Sequence, residues 1–224
     1  AIRKNGLTIQ KLWDESRETL PVKACTAEEY KEIPDVILVC VKGYSMDETV
    51  PTIKKIAGKE TVVIPILNIY GTGGRLQKKL PELTVTDGCI YVSANIMEPG
   101  VILQHGKILR VVFGARKPEE ETEKMREVAK DMVTDDLEVI LSENIRRDAM
   151  VKFSYVSPIG AAGLYCNAVA ADFQREGEQR EMFKALIREI VALSHAMGIE
   201  FEADLVARNL KLLSSPVSYT HLRA

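Results

Sequence analysis

The chain has 224 residues, with 30 Lys or Arg against 32 Asp or Glu, which gives a net charge of −2 at neutral pH. This length is enough to bury a sizeable core as one large domain or two small ones. No long Lys/Arg run is present and no apolar run exceeds strand length, which argues against nucleic-acid binding as the main task and against a membrane span.

Two runs are apolar and rich in β-branched residues: VILVCVK at residues 36–42 and TVVIPIL at residues 61–67. Each run follows a turn signal. Such runs are typical of strands that are buried on both faces of a parallel sheet. The segment between them predicts a helix that ends near Ala57, so the three elements form a βαβ unit. Lys42 ends the first run, and Asn68 directly follows the second.

Asn68 opens the glycine-rich stretch NIYGTGG, which precedes a predicted helix. Ligands of open α/β sheets lie at the carboxyl ends of strands, so this loop is well placed for a site. Its spacing lacks the third glycine of a dinucleotide fingerprint. An ordinary flexible turn between strand and helix is the competing interpretation.

The next segments predict two strands at residues 88–97 and 101–113, joined in a hairpin-like arrangement by a turn at residues 98–100. A charged helix at 118–133 and a last strand at 137–141 follow. The four cysteines are scattered, and Cys40 and Cys89 lie within apolar strand-like runs. That distribution favours reduced, buried thiols in a cytoplasmic protein over disulfides or a metal cluster, so no metal site is predicted.

An unusually apolar segment at residues 145–171 carries a single lysine, Lys152. A cation among apolar neighbours is costly to desolvate, its pKa tends to fall, and it becomes a candidate proton donor. A structural interpretation competes, because lysine stems often lie along apolar surface and Asp148, four residues earlier, offers an ordinary helix ion pair. Pro158 is expected to kink or break this helix.

After residue 171 the spacing of apolar residues is helical, and helices are predicted at residues 176–197 and 203–213. Within the first of these, an apolar stripe is predicted to face the core: Met182, Leu186, Ile190 and Leu193. The last residues, SSPVSYTHLRA, are interpreted as a tail that does not belong to the fold.

Over roughly residues 1–213 the sequence resembles the 2-dehydropantoate 2-reductase (ketopantoate reductase) family. The resemblance rests on the AIRKNGLTI opening, PDVILVCVK, the strand that ends in Asn68 and GTGG, EPGVILQHG with a later FG, and above all the lysine-centred helix. It implies a Rossmann-like domain that binds NADPH, a helical C-terminal domain, and an active site between them.

The resemblance also implies roles for three residues. Lys152 matches the family's general acid, which protonates the keto oxygen as hydride arrives from the nicotinamide. Lys42 and Asn68 match family residues that lie along the nicotinamide end of the cofactor. Lys152 is therefore expected to face the cleft between the domains.

The chain departs from the family pattern in several places. The dinucleotide fingerprint and first strand are expected before Ala1, so this chain is interpreted as an inactive fragment that binds NADPH poorly. Val156 and Gly160 stand where family members that reduce ketopantoate commonly carry asparagines. These two residues favour a related NADP-dependent 2-hydroxyacid dehydrogenase as the alternative.

The resulting prediction is an α/β protein with a partial Rossmann-like NADP-binding domain at residues 1–144, a helical domain at 145–213 and a non-native tail at 214–224. The predicted function is NADPH-dependent reduction of the 2-keto acid 2-dehydropantoate to pantoate in coenzyme A biosynthesis. A non-catalytic interaction protein on the same fold is the alternative from another class. Assembly into a homo-oligomer is left open.

Overall fold

The computed structural model of the protein describes residues 1–214, which form two compact units. The first unit comprises Ala1–Leu67 and Gly71–Glu143, and the second comprises Asn68–Tyr70 and the residues from Asn144 onward. Within the described residues, strands occur only in the first unit, and the second is helical. The predicted fold class, an α/β domain followed by a helical C-terminal region, is confirmed.

The first unit contains eight strands and four α-helices. In chain order the strands are β1 (Leu7–Lys11), β2 (Arg17–Leu20), β3 (Val36–Val39), β4 (Val62–Pro65), β5 (Thr84–Val85), β6 (Asp87–Glu98), β7 (Val101–Gly114) and β8 (Glu138–Leu141). The helices are α1 (Ile2–Asn5), α2 (Val50–Ile56), α3 (Thr72–Lys79) and α4 (Glu123–Asp131).

These strands form two sheets. Strands β3, β4 and β5 lie side by side and are all parallel, with α2 and α3 as the connections. The other sheet has the order β2–β1–β7–β6, and β8 also pairs with β7. The predicted βαβ unit and the predicted β6–β7 hairpin are therefore both present.

Strand β4 is buried on both faces, as its apolar run predicts. On one face Val63 packs in a cluster with residues of α2 and α3. On the other face Val62 and Ile64 pack with Phe113 of β7 and with residues of α4. Alternation of side chains along the strand thus places β4 between two cores.

The expectation of full burial is wrong for β3. Leu38 is 40% exposed, and only Val39 of this strand is buried. The reason is that β3 pairs with β4 alone and lies at the edge of its sheet. Cys40, just beyond the strand, is also exposed, whereas Cys89 is buried as predicted, and neither forms a disulfide.

The second unit contains three α-helices: α5 (Ile145–Cys166), α6 (Glu178–Ala196) and α7 (Leu205–Leu213). Helix α5 starts at Asn144, whose side chain accepts a hydrogen bond from the backbone N–H of Arg147. It ends at Asn167 in the left-handed conformation. Pro158 was expected to kink or break this helix; it does not break it, because α5 continues through Pro158 to Cys166.

The core of the second unit lies where α5, α6 and α7 pack together around Tyr155, Phe183 and Leu205. The apolar stripe predicted for α6 is confirmed only in part: Met182 and Leu186 pack against this core, but they are partly buried and are not its most buried residues. Phe183 and Ile187 are fully buried, whereas Leu193 is 50% exposed. Apolar residues at helical spacing include both Met182 with Leu186 and Phe183 with Ile187. The sequence pattern along α6 therefore could not decide which of the two pairs is more deeply buried against α5 and α7.

Within residues 1–214 no helix has the combination of length and apolar character that crossing a bilayer requires. The predicted tail at residues 214–224 lies, apart from Ser214, outside the described residues.

Candidate active site

Lys152 lies near the middle of α5 and is only 6% exposed. Its Nζ donates a hydrogen bond to Oδ1 of Asn68 over 2.6 Å. The side chain therefore does not extend along the surface into water, which was the competing structural interpretation. A buried ammonium held by a neutral amide keeps its proton within a hydrogen bond, a suitable arrangement for a proton donor.

Asn68 belongs to the same unit as Lys152, although it follows β4 of the other unit in the sequence. An ammonium only donates, so the amide oxygen of Asn68 must face Lys152. The amide nitrogen is then directed away from the lysine with two N–H donors. Because Asn68 is exposed, these donors are accessible to a ligand carbonyl.

A second contact ties this loop to α5. The rings of Tyr70 and Phe153 lie 6.3 Å apart, centroid to centroid, at an angle of 49°. Consecutive residues of the helix, Lys152 and Phe153, thus contact Asn68 and Tyr70 of one three-residue loop segment. The aromatic pair restricts the loop that carries Asn68.

We expect replacement of Tyr70 by Leu to weaken this attachment. An aromatic pair contributes about 0.5–1.5 kcal/mol beyond the area it buries. A double-mutant cycle between Tyr70→Leu and Phe153→Leu, measured by chemical denaturation, should give a coupling free energy in this range. Tyr70→Phe keeps the ring and is the matched control. A coupling free energy near zero would show that the rings do not stabilise each other.

One glycine of the glycine-rich stretch, Gly73, has a packing role. The backbone N–H of Gly73, in the first turn of α3, donates to Oδ1 of buried Asp87 over 2.7 Å. A Cβ on Gly73 would lie 2.0 Å from the carbonyl oxygen of Thr86. This glycine allows α3 to pack against the start of β6, and a protein carboxylate binds the N–H that a phosphate would need.

Lys42 lies in the first unit, three residues beyond the end of β3. It precedes a short 3₁₀ helix, and its carbonyl accepts a hydrogen bond from the N–H of Ser45. Its side chain is exposed. The structure thus brings Asn68 and Lys152 together within one unit, and it places Lys42 at the carboxyl end of a parallel strand, where the α/β rule expects ligand contacts.

Two positions that follow Lys152 on α5 at helical spacing carry no polar side chain. Val156 follows the lysine by one helical turn, and Gly160 follows by about two. A Cβ on Gly160 would meet no atom within 4 Å, which leaves open space there. Neither position therefore supplies a side-chain hydrogen bond.

Sequence reasoning missed Tyr70, Phe153 and Asn209. Asn209 is fully buried on α7 between Leu205 and Leu213. A single amide at the centre of an apolar stripe is a signal that could have revealed it. Among the described residues, no group of three or more His, Cys, Asp and Glu side chains is arranged to hold a metal ion.

Two family models match this chain. The model described as "Ketopantoate reductase PanE/ApbA" matches residues 1–118, and that of its C-terminal part matches residues 144–221. The chain belongs to the ketopantoate reductase family. The resemblance seen in the sequence is confirmed, and the chain is of the ketopantoate reductase type of oxidoreductase.

The curated relatives are distant in sequence, but their matches cover most of this chain. An uncharacterized oxidoreductase, YkpB, of Bacillus subtilis (strain 168) is 24% identical over 224 residues, which is 100% of this chain and 72% of the relative. The 2-dehydropantoate 2-reductase of Aquifex aeolicus is 22% identical over 187 residues, or 83% and 60% of the two chains. The chain therefore spans between 60% and 72% of the length of these two relatives.

Solved structures share the fold at low identity. A 2-dehydropantoate 2-reductase from Geobacter metallireducens has a TM-score of 0.82 at 20% identity, covering 95% of this chain and 70% of that one. A D-mandelate dehydrogenase solved with NADH and anilino(oxo)acetate has a TM-score of 0.81 at 16% identity, with coverage of 98% and 70%. A dimeric ketopantoate reductase from Staphylococcus aureus has a TM-score of 0.76 at 19% identity, with coverage of 94% and 68%.

Proposed function

We propose that the protein reduces a 2-oxo acid to the 2-hydroxy acid with a nicotinamide dinucleotide, and that Lys152 is the proton donor. The observation that carries the proposal is the buried ammonium of Lys152, held by Oδ1 of Asn68 at 2.6 Å. Family membership supplies the reaction class. A non-catalytic role on the same fold would not require a lysine to be buried in this way.

The residues present fit a nicotinamide dinucleotide. The N–H groups of Asn68 that face away from Lys152 suit the carbonyl of a carboxamide, and Lys42 brings a positive charge beyond the end of β3. When bound, the cofactor supplies the hydride. We infer NADPH as the preferred form from the family resemblance, although a structural neighbour was solved with NADH.

The chain's own residues then perform the proton chemistry. As the keto carbon accepts hydride, charge develops on the substrate oxygen, and the Lys152 ammonium stabilises that charge and transfers its proton to the oxygen. Asn68 holds the ammonium in place through its amide oxygen. The apolar side of α5 at Val156 excludes water from the substrate beside the lysine.

Two substrate classes are consistent with this chemistry. Ketopantoate is the first candidate because the family models and the relative from Aquifex aeolicus carry that activity in their names. A bulkier, less hydroxylated 2-oxo acid is the second, because Val156 offers no hydrogen bond and Gly160 leaves open space. As its title states, the structure of a neighbouring D-mandelate dehydrogenase contains anilino(oxo)acetate, an aryl compound.

A substrate panel tests both substrate classes. Oxidation of NADPH or NADH is followed with ketopantoate, with its analogue 3,3-dimethyl-2-oxobutanoate, which lacks the hydroxyl, and with phenylglyoxylate. A site that bonds a substrate hydroxyl rejects the analogue without it by about 10⁴-fold, whereas an apolar wall discriminates by only about 10²-fold. We expect the smaller ratio here. Failure of every 2-oxo acid with both cofactors would contradict the proposed function.

The ketopantoate reductase from Staphylococcus aureus, which shares the fold, is dimeric according to its title. We infer that this protein also assembles as a homo-oligomer that acts on small molecules in the cytoplasm.

A further inference from the structure

Helix α5 lacks one of its own hydrogen bonds close to Lys152. Pro158 has no N–H, so the carbonyl of Ser154, four residues earlier, loses its helical donor. Ser154 is fully buried, and water cannot easily replace that donor. An unpaired buried carbonyl would be destabilising, and a proline at this position normally bends the helix at the residues that precede it.

The missing donor comes from another helix. Nδ2 of Asn209, on α7, donates to the backbone oxygen of Ser154 and also contacts its Oγ, each over 3.0 Å. Asn209 is itself fully buried. Its Oδ1 has no hydrogen-bond partner among the described residues, which fits an amide whose nitrogen must face Ser154. An apolar residue would avoid that orphan oxygen, so the amide at this position has a specific task.

The bonds made by Asn209 extend across the turn that carries the lysine. The hydroxyl of Ser154 donates to the carbonyl oxygen of Val151 over 2.7 Å. Through Ser154, Asn209 therefore ties the backbone on both sides of Lys152 to α7. The ammonium at the end of the lysine side chain is held separately, by Asn68.

We propose that Asn209 is a positioning residue for Lys152, which holds the helical turn 151–154 in place where Pro158 has removed its internal support. This inference rests on the proposed role of Lys152 as proton donor. In this role Asn209 touches neither substrate nor cofactor and acts on Lys152 through the backbone of α5. A general contribution to core packing is the alternative explanation of a buried residue on α7.

A rescue experiment separates the two explanations. In the variant Asn209→Leu the carbonyl of Ser154 loses its donor, and Pro158→Ala in the same chain restores an N–H at the helical position. Leu205→Ala is the matched control, because Leu205 lies on the same helix in the same core but makes none of these bonds. Reductive methylation of amines, read by mass spectrometry in folded protein, reports the exposure of Lys152, and exposed Lys211 on α7 is the internal reference.

We expect Asn209→Leu to raise the methylation rate of Lys152 by about 5- to 100-fold. This range corresponds to the free-energy cost of leaving one buried hydrogen-bond acceptor unpaired. Addition of Pro158→Ala should reverse most of that rise, and Lys211 should not change. Leu205→Ala should lower the melting temperature with a smaller effect on Lys152. An equal rise in Leu205→Ala at matched stability, or no rescue by Pro158→Ala, would overturn the proposal.

Turnover distinguishes this proposal from the proposed function. Asn209→Leu should lower kcat more than it raises KM, and addition of Pro158→Ala should restore part of kcat. If Lys152 is not the proton donor, the methylation pattern persists while kcat is unaffected. If Asn209 does not position Lys152, the methylation pattern itself is absent.

Discussion

Replacement of Lys152 by methionine is expected to lower kcat by about 10²–10⁴-fold, the range that general acid catalysis contributes. Methionine keeps the length and apolar stem of lysine, so packing within α5 should survive. The proton and the charge beside the developing alkoxide are lost. Steady-state reduction of the best 2-oxo acid, with a parallel thermal melt, measures both effects.

Stability should change little in this variant. Asn68 is exposed, so its amide oxygen can bond water once the ammonium has gone. Burial of a methionine also avoids the cost of removing a charge from water. Lys211→Met, at an exposed position of α7, is the control and should leave turnover unchanged.

Lys152→Arg adds a finer distinction. Arginine keeps the positive charge but does not release its proton in the pH range of enzymes. If proton transfer is the main contribution, the arginine variant should be nearly as slow as the methionine variant. Near-normal kcat in a folded Lys152→Met protein would remove the lysine from the mechanism.

The second large effect is expected at Gly73. An alanine there places Cβ 2.0 Å from the backbone oxygen of Thr86 and 2.5 Å from Oδ1 of Asp87. Because a backbone carbonyl cannot rotate away as a side chain can, α3 must shift against β6. We expect a loss of about 3 kcal/mol in the free energy of unfolding, the upper end of overpacking effects.

The neighbouring glycine is a close control. A Cβ on Gly74 would meet only Cδ of Arg116, at 3.9 Å. Gly74→Ala should therefore gain about 0.5–1 kcal/mol from the better helix propensity of alanine. Urea denaturation of both variants measures the difference. Equal stabilities would contradict the close packing of Gly73 against Thr86.

Local sequence patterns predicted most elements because their causes are local. The β-branched run at residues 61–67 gave a strand buried on both faces, and the turn before Val101 gave the β6–β7 hairpin. The helical segments of the second unit were also correctly recognised from their periodicity. Family membership followed from short motifs around Lys42, Asn68 and Lys152.

What the patterns could not supply were relations between distant residues. The exposure of Leu38 depends on β3 being an edge strand, and the burial of Phe183 rather than Leu193 depends on which side of α6 meets its neighbours. A local pattern shows that a side chain is apolar, but the packing partner determines whether it is buried.

The sequence by itself determined the fold class, the family and the identity of Lys152 as a candidate acid. Only the tertiary structure decided that Lys152 is buried against Asn68, 84 residues earlier in the chain, and that α5 continues through Pro158. Near Pro158, the carbonyl oxygen of Ser154 accepts a hydrogen bond from Asn209, 55 residues further along the chain. Both of these contacts are hydrogen bonds between groups far apart in sequence, and the spacing of residues along one element does not determine such a bond.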